Sequence, residues 1–146
     1  MILLDTNVLS ELMRPTPAIE VLDWVNEQDP DDLLITAITV AEILYGVARL
    51  PDGKRKSGLY QAATMAFAED FAGRILAFDE LAGMHYASVV ADRERAGTPI
   101  AMADAQIAAI CISRDIPVLA TRNAKDFAGL SIEVINPWRA GGHAGK

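Results

Sequence analysis

The alternation of short apolar runs with longer helix-forming segments limits the fold of this chain more than any other feature of its sequence. The apolar runs predict five strands, at residues 2–4, 33–36, 74–78, 118–120 and 133–135. The segments between them predict helices at about residues 6–13, 18–26, 39–50, 54–72, 80–96 and 100–114. Strands that alternate with helices favour a parallel sheet covered on both faces. We therefore expect an α/β fold in three layers, α/β/α, around a five-stranded parallel sheet.

Length and composition indicate one domain that has a partner. The chain has 146 residues, so we expect a single domain over residues 1–139 and a disordered, glycine-containing tail over residues 140–146. Hydrophobic residues make up 51% of the chain and the mean hydropathy is +0.20. We therefore expect a partner protein or a second copy to cover part of the apolar surface. The aromatic side chains that could contribute to such an interface are Trp24, Tyr45, Tyr60 and Phe67, although core packing is the favoured explanation for each of them singly.

The sequence predicts a cytoplasmic protein that does not enter a membrane. Its single cysteine, Cys111, cannot form an internal disulfide and lies in an apolar helical segment, where we expect it to be buried. The start of the chain lacks the basic residues of a signal peptide. The longest weakly polar stretch, residues 100–112, is shorter than the roughly 20 apolar residues of a membrane-spanning helix.

The net charge of −7 argues against a protein that coats nucleic acid non-specifically, because such binding depends on many Lys and Arg contacts to phosphates. A nuclease remains compatible with this charge, since a carboxylate cluster is acidic until a metal ion fills it. Short basic groups could guide a strand locally, although each is more simply explained as a solvated surface. These groups are residues 54–56, Arg93 with Arg95, and Arg122 with Lys125.

Several acidic residues are predicted to meet at one edge of the sheet. Asp5 directly follows the first strand, Glu42 lies in the first turn of the helix after the second strand, and Asp104 lies near the start of the helix before the fourth strand. Residues 121–123 and Asp126 follow the fourth strand. Ligands of such sheets bind beyond the carboxyl ends of the strands. Each acid also has a simpler explanation: Asp5 and Asp104 as helix caps, Glu42 as an exposed helical residue and Asp126 as a turn residue.

Oxygen ligands from separate segments favour a hard divalent cation. Closely spaced carboxylates repel one another, so their pKa values rise unless a positive charge intervenes. Mg²⁺ or Mn²⁺ would offset that charge, lower the pKa of a bound water and hold a phosphate oxygen. Zinc is disfavoured because it prefers Cys and His ligands, and the chain offers only Cys111, His85 and His143.

The acidic residues and their neighbours resemble the motifs of the PIN-domain family, in the VapC-like toxin branch of bacterial toxin–antitoxin pairs. The resemblance covers nearly the whole chain. Its matching segments are residues 1–8, residues 35–42 with Gly46, residues 103–109, residues 118–123 with residues 126–127, and residues 135–138. It implies a PIN-like, Rossmann-like topology and a Mg²⁺- or Mn²⁺-dependent endoribonuclease that acts on RNA. It also implies a homodimer and a cognate antitoxin, which would link the toxin only indirectly to operator DNA.

Carried over residue by residue, the resemblance assigns Asp5, Glu42 and Asp104 as catalytic residues and metal ligands. It assigns Asn7 to support these acids by hydrogen bonding and Thr121 to orient a ligand or water. Many relatives have an Asp two residues after that Thr, whereas this chain has Asn123. Either the carbonyl of Asn123 or the carboxylate of nearby Asp126 could therefore act as the fourth ligand, and either one or two metal ions could bind.

Two functions of other classes stay open from the sequence alone. The first is a phosphohydrolase with Asp5 as a covalent nucleophile, although the second acid of the loosely similar haloacid dehalogenase-like motif is absent. The second is a non-catalytic metal-binding or interaction module. A receiver-like module would have a Lys after the last strand, where this chain has Asn136 and Pro137. The glycine-rich phosphate-binding motifs of nucleotide-binding proteins are absent.

Overall fold

A computed structural model describes residues 1–139, and the predicted tail at residues 140–146 lies outside the described part of the chain. The strands are β1 (Ile2–Leu4), β2 (Leu33–Thr36), β3 (Ile75–Leu76), β4 (Val118–Ala120) and β5 (Glu133–Ile135). The α-helices are α1 (Thr6–Leu12), α2 (Ile19–Asn26), α3 (Ala37–Ala48), α4 (Lys54–Met65), α5 (Glu80–Arg95) and α6 (Met102–Ser113). Short 3₁₀ turns cover Pro30–Asp32 and Ala124–Phe127, and a π-helical turn covers Ala66–Asp70.

The strands form one five-stranded sheet in the order β3-β2-β1-β4-β5, and every neighbouring pair is parallel. This confirms the predicted fold class. The first strand of the chain lies at the centre of the sheet, between β2 and β4. Its pairing with β4 matches Leu4 with Ala120, so the residues that follow these two strands emerge side by side.

Two core clusters lie on opposite faces of the sheet because successive side chains of a strand point to opposite sides. In β1, Leu4 packs into the first core cluster, which is built mainly with residues of α1, α2 and α3. Leu3 packs into the second core cluster, which contains residues of α6 and Phe127. All four residues of β2 are buried, as expected for an inner strand covered on both faces. Helices therefore cover both faces, which gives the three predicted layers.

The third strand and the long helix before it differ from their predictions. The predicted strand at residues 74–78 contains only Ile75 and Leu76, which pair with Ile35 and Thr36 of β2 at the edge of the sheet, whereas the Phe78 ring packs edge-on against Tyr86 of α5. The predicted helix at residues 54–72 changes at Ala66 into a π-helical turn, closed by a 3.0 Å hydrogen bond from the Phe71 N–H to the Ala66 carbonyl. That turn ends at Phe71, which is buried in the first core cluster.

Helix α3 begins two residues earlier than predicted. Thr36, the last residue of β2, caps it by accepting a 3.1 Å hydrogen bond from the Thr39 N–H on its side-chain oxygen. The prediction that Glu42 lies in the first helical turn is therefore wrong, since Glu42 is the sixth residue of a helix that starts at Ala37. One turn is 3.6 residues, so Glu42 belongs to the second turn.

Other predictions about packing are confirmed only in part. Cys111 is fully buried in the second core cluster, as expected, and burial raises the pKa of its thiol to about 12. Of the aromatic residues proposed for an interface, Tyr45 is 65% exposed and Tyr60 is 54% exposed. Trp24 and Phe67 instead pack against the first core cluster. Across residues 1–139, no helix combines the length and the apolar character that crossing a membrane requires.

Candidate active site

The candidate site lies at the carboxyl end of the central strands. Asp5 follows β1, and its N–H donates a 2.9 Å hydrogen bond to the Ala120 carbonyl. Thr121 follows β4, and its N–H donates a 2.9 Å hydrogen bond to the Ile135 carbonyl of β5. The parallel register therefore sets Asp5 and Thr121 beside each other although 116 positions separate them in sequence.

The Asp5 carboxylate is buried, at 5% exposure, and both of its oxygens accept hydrogen bonds. Oδ1 accepts from the Thr6 N–H at 2.8 Å, so Asp5 does cap α1. Oδ2 accepts from the Thr121 hydroxyl at 2.7 Å and from the Asn7 side-chain amide at 3.4 Å. Burial raises the pKa of Asp5, and the hydrogen bonds from Thr121 and Thr6 oppose that shift. The capping interpretation and the site interpretation therefore both apply, each to a different oxygen.

Thr121 and Asn7 form a small network that holds Asp5. The Thr121 hydroxyl oxygen accepts from the Asn123 N–H at 3.1 Å and from the Asn7 side-chain amide at 3.3 Å. The Asn7 side-chain carbonyl accepts from the Arg122 N–H at 3.2 Å. Because the Thr121 proton is directed at Asp5, the network presents a carboxylate in one fixed orientation. Both residues predicted to support the acids are thus in contact with Asp5.

Glu42 is held by a chain of hydroxyl groups that the sequence interpretation missed. The Thr6 hydroxyl donates to Glu42 Oε1 at 2.6 Å. The Thr39 hydroxyl lies 2.9 Å from Thr6 Oγ1 and must be the donor of that pair, because the single Thr6 proton is already used. Thr39 is fully buried and Glu42 is exposed, so the chain links the core to the pocket surface.

Asp104 lies in the first turn of α6 and is half-buried. Its pKa is raised to about 6, first by burial and then by the negative charges of Asp5, Asp126 and Glu42. The charge of Asp126 also raises the pKa of Asp5. All four predicted acidic positions therefore interact electrostatically, with Asp126 located in the 3₁₀ turn after β4.

A pocket of about 450 Å³ contains three of these acids, Asp5, Glu42 and Asp104, together with Asn123. Asp126 acts on it through its charge and does not line it. The carboxylates of these acids and the side-chain carbonyl of Asn123 offer oxygen atoms as metal ligands, and hard cations prefer oxygen ligands. As they stand, no three Asp, Glu, His or Cys side chains in residues 1–139 are arranged to hold a metal ion. The hydrogen bond from the Thr6 hydroxyl restrains Glu42, and it would have to break before Glu42 could move to bind an ion together with Asp5 and Asp104.

Cationic and aromatic groups also line this pocket. Arg14, Glu11 and Trp138 are among the lining residues, and the sequence motifs did not predict a role for them in the site. Arg14 pairs with the buried Glu11 at 3.3 Å, and Glu11 also accepts from the Ala18 N–H at 2.8 Å. The hydrogen bond from the Ala18 N–H lowers the pKa of Glu11, and Arg14 lowers it by a smaller amount. The Arg122 guanidinium lies 5.1 Å from the centre of the Trp138 ring. The i,i+3 spacing of Glu11 and Arg14 was the available sequence signal for that pair.

Comparisons with known proteins agree with the geometry. The model of the PIN domain family matches residues 2–131. The chain is 42% identical over 138 residues to toxin FitB of Neisseria gonorrhoeae, covering 94% of this chain and 99% of the relative. It is 39% identical to VapC ribonuclease Y4jK of Sinorhizobium fredii, covering 94% and 98%. A solved structure of FitAB bound to the IR36 DNA fragment matches with a TM-score of 0.89 at 41% identity, covering 96% of this chain and 97% of the solved chain.

Proposed function

This chain belongs to the PIN-domain family, and from that premise we propose that it is a metal-dependent endoribonuclease and the toxin of a toxin–antitoxin pair. The observation that carries the proposal is the electrostatic coupling of Asp5, Glu42, Asp104 and Asp126 at one edge of the sheet. Carboxylates kept this close are costly for a fold that has no use for them. Relatives of this chain are named as a toxin and a ribonuclease, and a metal-dependent ribonuclease would use such carboxylates to bind its metal ion.

We propose Asp5, Glu42 and Asp104 as the residues that hold the metal ion, with Mg²⁺ or Mn²⁺ as the ion of choice. Their all-oxygen donor set and the raised pKa of Asp104 support this assignment. When bound, such an ion offsets the carboxylate charge, lowers the pKa of water and stabilises charge on phosphate oxygens. Asn123 through its carbonyl and Asp126 through its carboxylate are the two candidates for a fourth ligand.

The contacts of the chain's own residues support the proposal of an in-line displacement on an RNA phosphodiester. Thr121 and Asn7 keep the Asp5 carboxylate in one orientation, and Thr6 restrains Glu42. Of the three proposed ligands, only Asp104 has no hydrogen-bond partner for its carboxylate among residues 1–139, so it is the one most free to adjust as substrate enters. In the proposed step, the oxygen of a water molecule bonds to phosphorus and its proton passes to solvent, while the bond from phosphorus to the 3′-oxygen breaks and that oxygen takes up a proton from solvent, which gives 5′-phosphate and 3′-hydroxyl products.

The rival role of Asp5 as a covalent nucleophile is disfavoured by its contacts. A nucleophilic carboxylate needs one oxygen free to approach phosphorus. Here Oδ1 accepts from the Thr6 N–H and Oδ2 accepts from Thr121 and Asn7, and the side chain is 5% exposed. These contacts suit a fixed ligand better than an attacking group.

The proposed partners follow from the same family. FitAB was solved on DNA, so we propose that this chain is held by a cognate antitoxin and reaches operator DNA only through it. We also propose a homodimer, with the exposed Tyr45 and Tyr60 among the apolar groups available for contact. An RNA target in the cell would place the protein in the cytoplasm.

The test is cleavage of mixed cellular RNA by antitoxin-free protein, with Mn²⁺ or Mg²⁺ and with EDTA. We expect discrete cleavage that needs the metal and that falls at least about 100-fold in Asp5→Asn. Mapping of the product ends should give 5′-phosphates. Cleavage that persists in EDTA, or 2′,3′-cyclic phosphate ends, would refute a metal-dependent hydrolysis.

A further inference from the structure

Arg122 is a pocket cation whose charge is not taken up by an ion pair. Arg14, the other arginine of the pocket, is paired with Glu11 at 3.3 Å. Within residues 1–139, Arg122 forms no salt bridge and its guanidinium donates no hydrogen bond. The residue is exposed and lines the same pocket as Asp5 and Asp104. Its charge is one of the smaller causes of the lowered pKa of Glu11, but no carboxylate of the described residues lies within ion-pair distance, so the guanidinium N–H groups remain available to an anion that enters the pocket.

Two side-chain amides fix the backbone of Arg122 on both sides. The Arg122 N–H donates to the Asn7 side-chain carbonyl at 3.2 Å. The Asn136 side-chain amide donates to the Arg122 carbonyl at 3.3 Å. The side-chain carbonyl of Asn136 accepts from the Trp138 N–H at 2.9 Å. Asn136 is buried at 7% exposure. Since Asn7 also bonds Asp5, the same network positions the backbone of Arg122 relative to Asp5.

Trp138 restricts the side chain of Arg122 as well as its backbone. The guanidinium carbon lies 5.1 Å from the centre of the indole ring, within the range of a cation–π contact. Trp138 itself packs against the first core cluster, so the ring is a firm support. The cation–π contact uses none of the guanidinium N–H groups in a hydrogen bond, and a guanidinium can present two of them to a phosphate.

We propose that Arg122, supported by Trp138, binds the RNA phosphate that flanks the scissile one and so positions the strand at the acids. This inference rests on the proposed ribonuclease function and assigns a further substrate contact within that site. The acids repel a phosphate backbone, and Arg122 offsets that repulsion at the pocket wall after β4. In this arrangement Arg122 touches substrate, and Trp138 is a positioning residue that acts through it.

The first experiment measures binding separately from cleavage. In an Asp104→Asn background that does not cut, we expect Arg122→Ala to raise the Kd of a single-stranded RNA oligonucleotide about tenfold. The slope of log K against log salt should become shallower by about 0.7, one phosphate contact. Arg49→Ala is the matched control, because Arg49 lies 5.5 Å from the Tyr45 ring and lines no part of this pocket. Equal Kd values for Arg122→Ala and its parent would overturn the proposal.

A second experiment locates the contacted phosphate. Neutral methylphosphonate linkages are placed one at a time along the oligonucleotide. We expect one position near the cleavage site to weaken binding about tenfold for the protein with Arg122 and to have no effect for Arg122→Ala. If the two proteins respond alike at every position, Arg122 contacts no phosphate.

The role of Trp138 is tested by a double-mutant cycle, with thermal unfolding followed because the ring also packs against the core. Trp138→Leu should raise Kd about threefold with Arg122 present and change it no further in Arg122→Ala. Equal effects in both backgrounds would make the ring merely structural. In the cutting enzyme, Arg122→Ala should raise KM and leave kcat within about twofold. If the wild-type protein does not cleave RNA but Arg122→Ala still raises the Kd for the oligonucleotide, only the proposed catalytic function is refuted.

Discussion

The two walls of the pocket hold their carboxylates in opposite ways. On the strand wall, Asp5 is buried and accepts hydrogen bonds from Thr121, Asn7 and the Thr6 N–H. On the helical wall, Asp104 is half-buried, its carboxylate has no hydrogen-bond partner within residues 1–139, and its pKa is raised to about 6. The strand wall is already ordered in the free protein, whereas the helical wall retains electrostatic repulsion that a cation can relieve. The comparison predicts that mutations on the two walls change metal-free stability in opposite directions.

The largest expected effect is on the strand wall. Thr121→Val removes the hydroxyl donor of a buried carboxylate and should lower the metal-free free energy of unfolding by about 2–3 kcal/mol. It should also raise the pKa of Asp5 further. Urea unfolding in EDTA measures the first effect and carboxylate titration by NMR the second. Thr121→Ser keeps the hydroxyl and is the control, and equal losses for Val and Ser would point to packing rather than to the hydrogen bond.

The opposite sign is expected on the helical wall. Asp104→Asn removes the charge that Asp5, Asp126 and Glu42 repel. It should raise the metal-free free energy of unfolding at pH 7 by about 1–2 kcal/mol, a value already reduced for solvent screening of a half-buried group. RNA cleavage should be lost at the same time. A destabilised Asp104→Asn protein would mean that the carboxylate makes a stabilising contact, against the comparison.

The pH dependence sharpens this contrast. The folded-state pKa of Asp104, about 6, lies above its ordinary value of 3.8, so the folded protein keeps a proton that the unfolded chain releases between these values. The contribution of Asp104 to stability is therefore present below about pH 4 and is lost as the pH rises through 6. In EDTA, the stability difference between Asp104→Asn and wild type should be near zero at pH 4 and level off above pH 7. A difference that does not vary with pH would exclude titration of Asp104 as its origin.

The smallest effect concerns the hydroxyl chain to Glu42. Thr6→Val leaves the fully buried Thr39 hydroxyl without its acceptor and should cost about 1 kcal/mol. It also releases Glu42, so the metal-dependent rise in melting temperature should be retained or enlarged. Thermal unfolding with and without Mn²⁺ measures both quantities, and Thr64→Val, which removes an exposed hydroxyl of α4, serves as control. Loss of the metal response in Thr6→Val would mean that Thr6 helps to hold the ion.

Strands β1, β2, β4 and β5 match their predicted bounds. The match is expected for the inner strands, where burial on two faces favours a continuous apolar run. The prediction failed at β3, where only Ile75 and Leu76 pair with β2, and at Ala66, where helix propensity does not distinguish a π turn from an α turn. These features depend on tertiary packing rather than on local pattern.

For the candidate site, position along the strands was enough to bring Asp5 and Thr121 together. The partners Thr6, Arg14 and Trp138 were missed because their roles depend on side-chain directions and on contacts between distant segments. An unremarkable Thr or Trp carries no chemical signal of its own. The assignments of Asp5, Glu42 and Asp104 as metal ligands stay predictions, for which the assays above are the test.

The central place of β1 in the sheet has a consequence for synthesis on the ribosome. Asp5 is made among the first residues, yet its partner Thr121 and the neighbouring strand β4 come near the end of the chain. A nascent chain that stops before β4 has Asp5 and Glu42, and it can pair β1 with β2, but it lacks the Thr121 hydroxyl that orients Asp5. Contacts between such distant segments form late. The complete site therefore forms beside a translating ribosome only when nearly the whole protein has emerged.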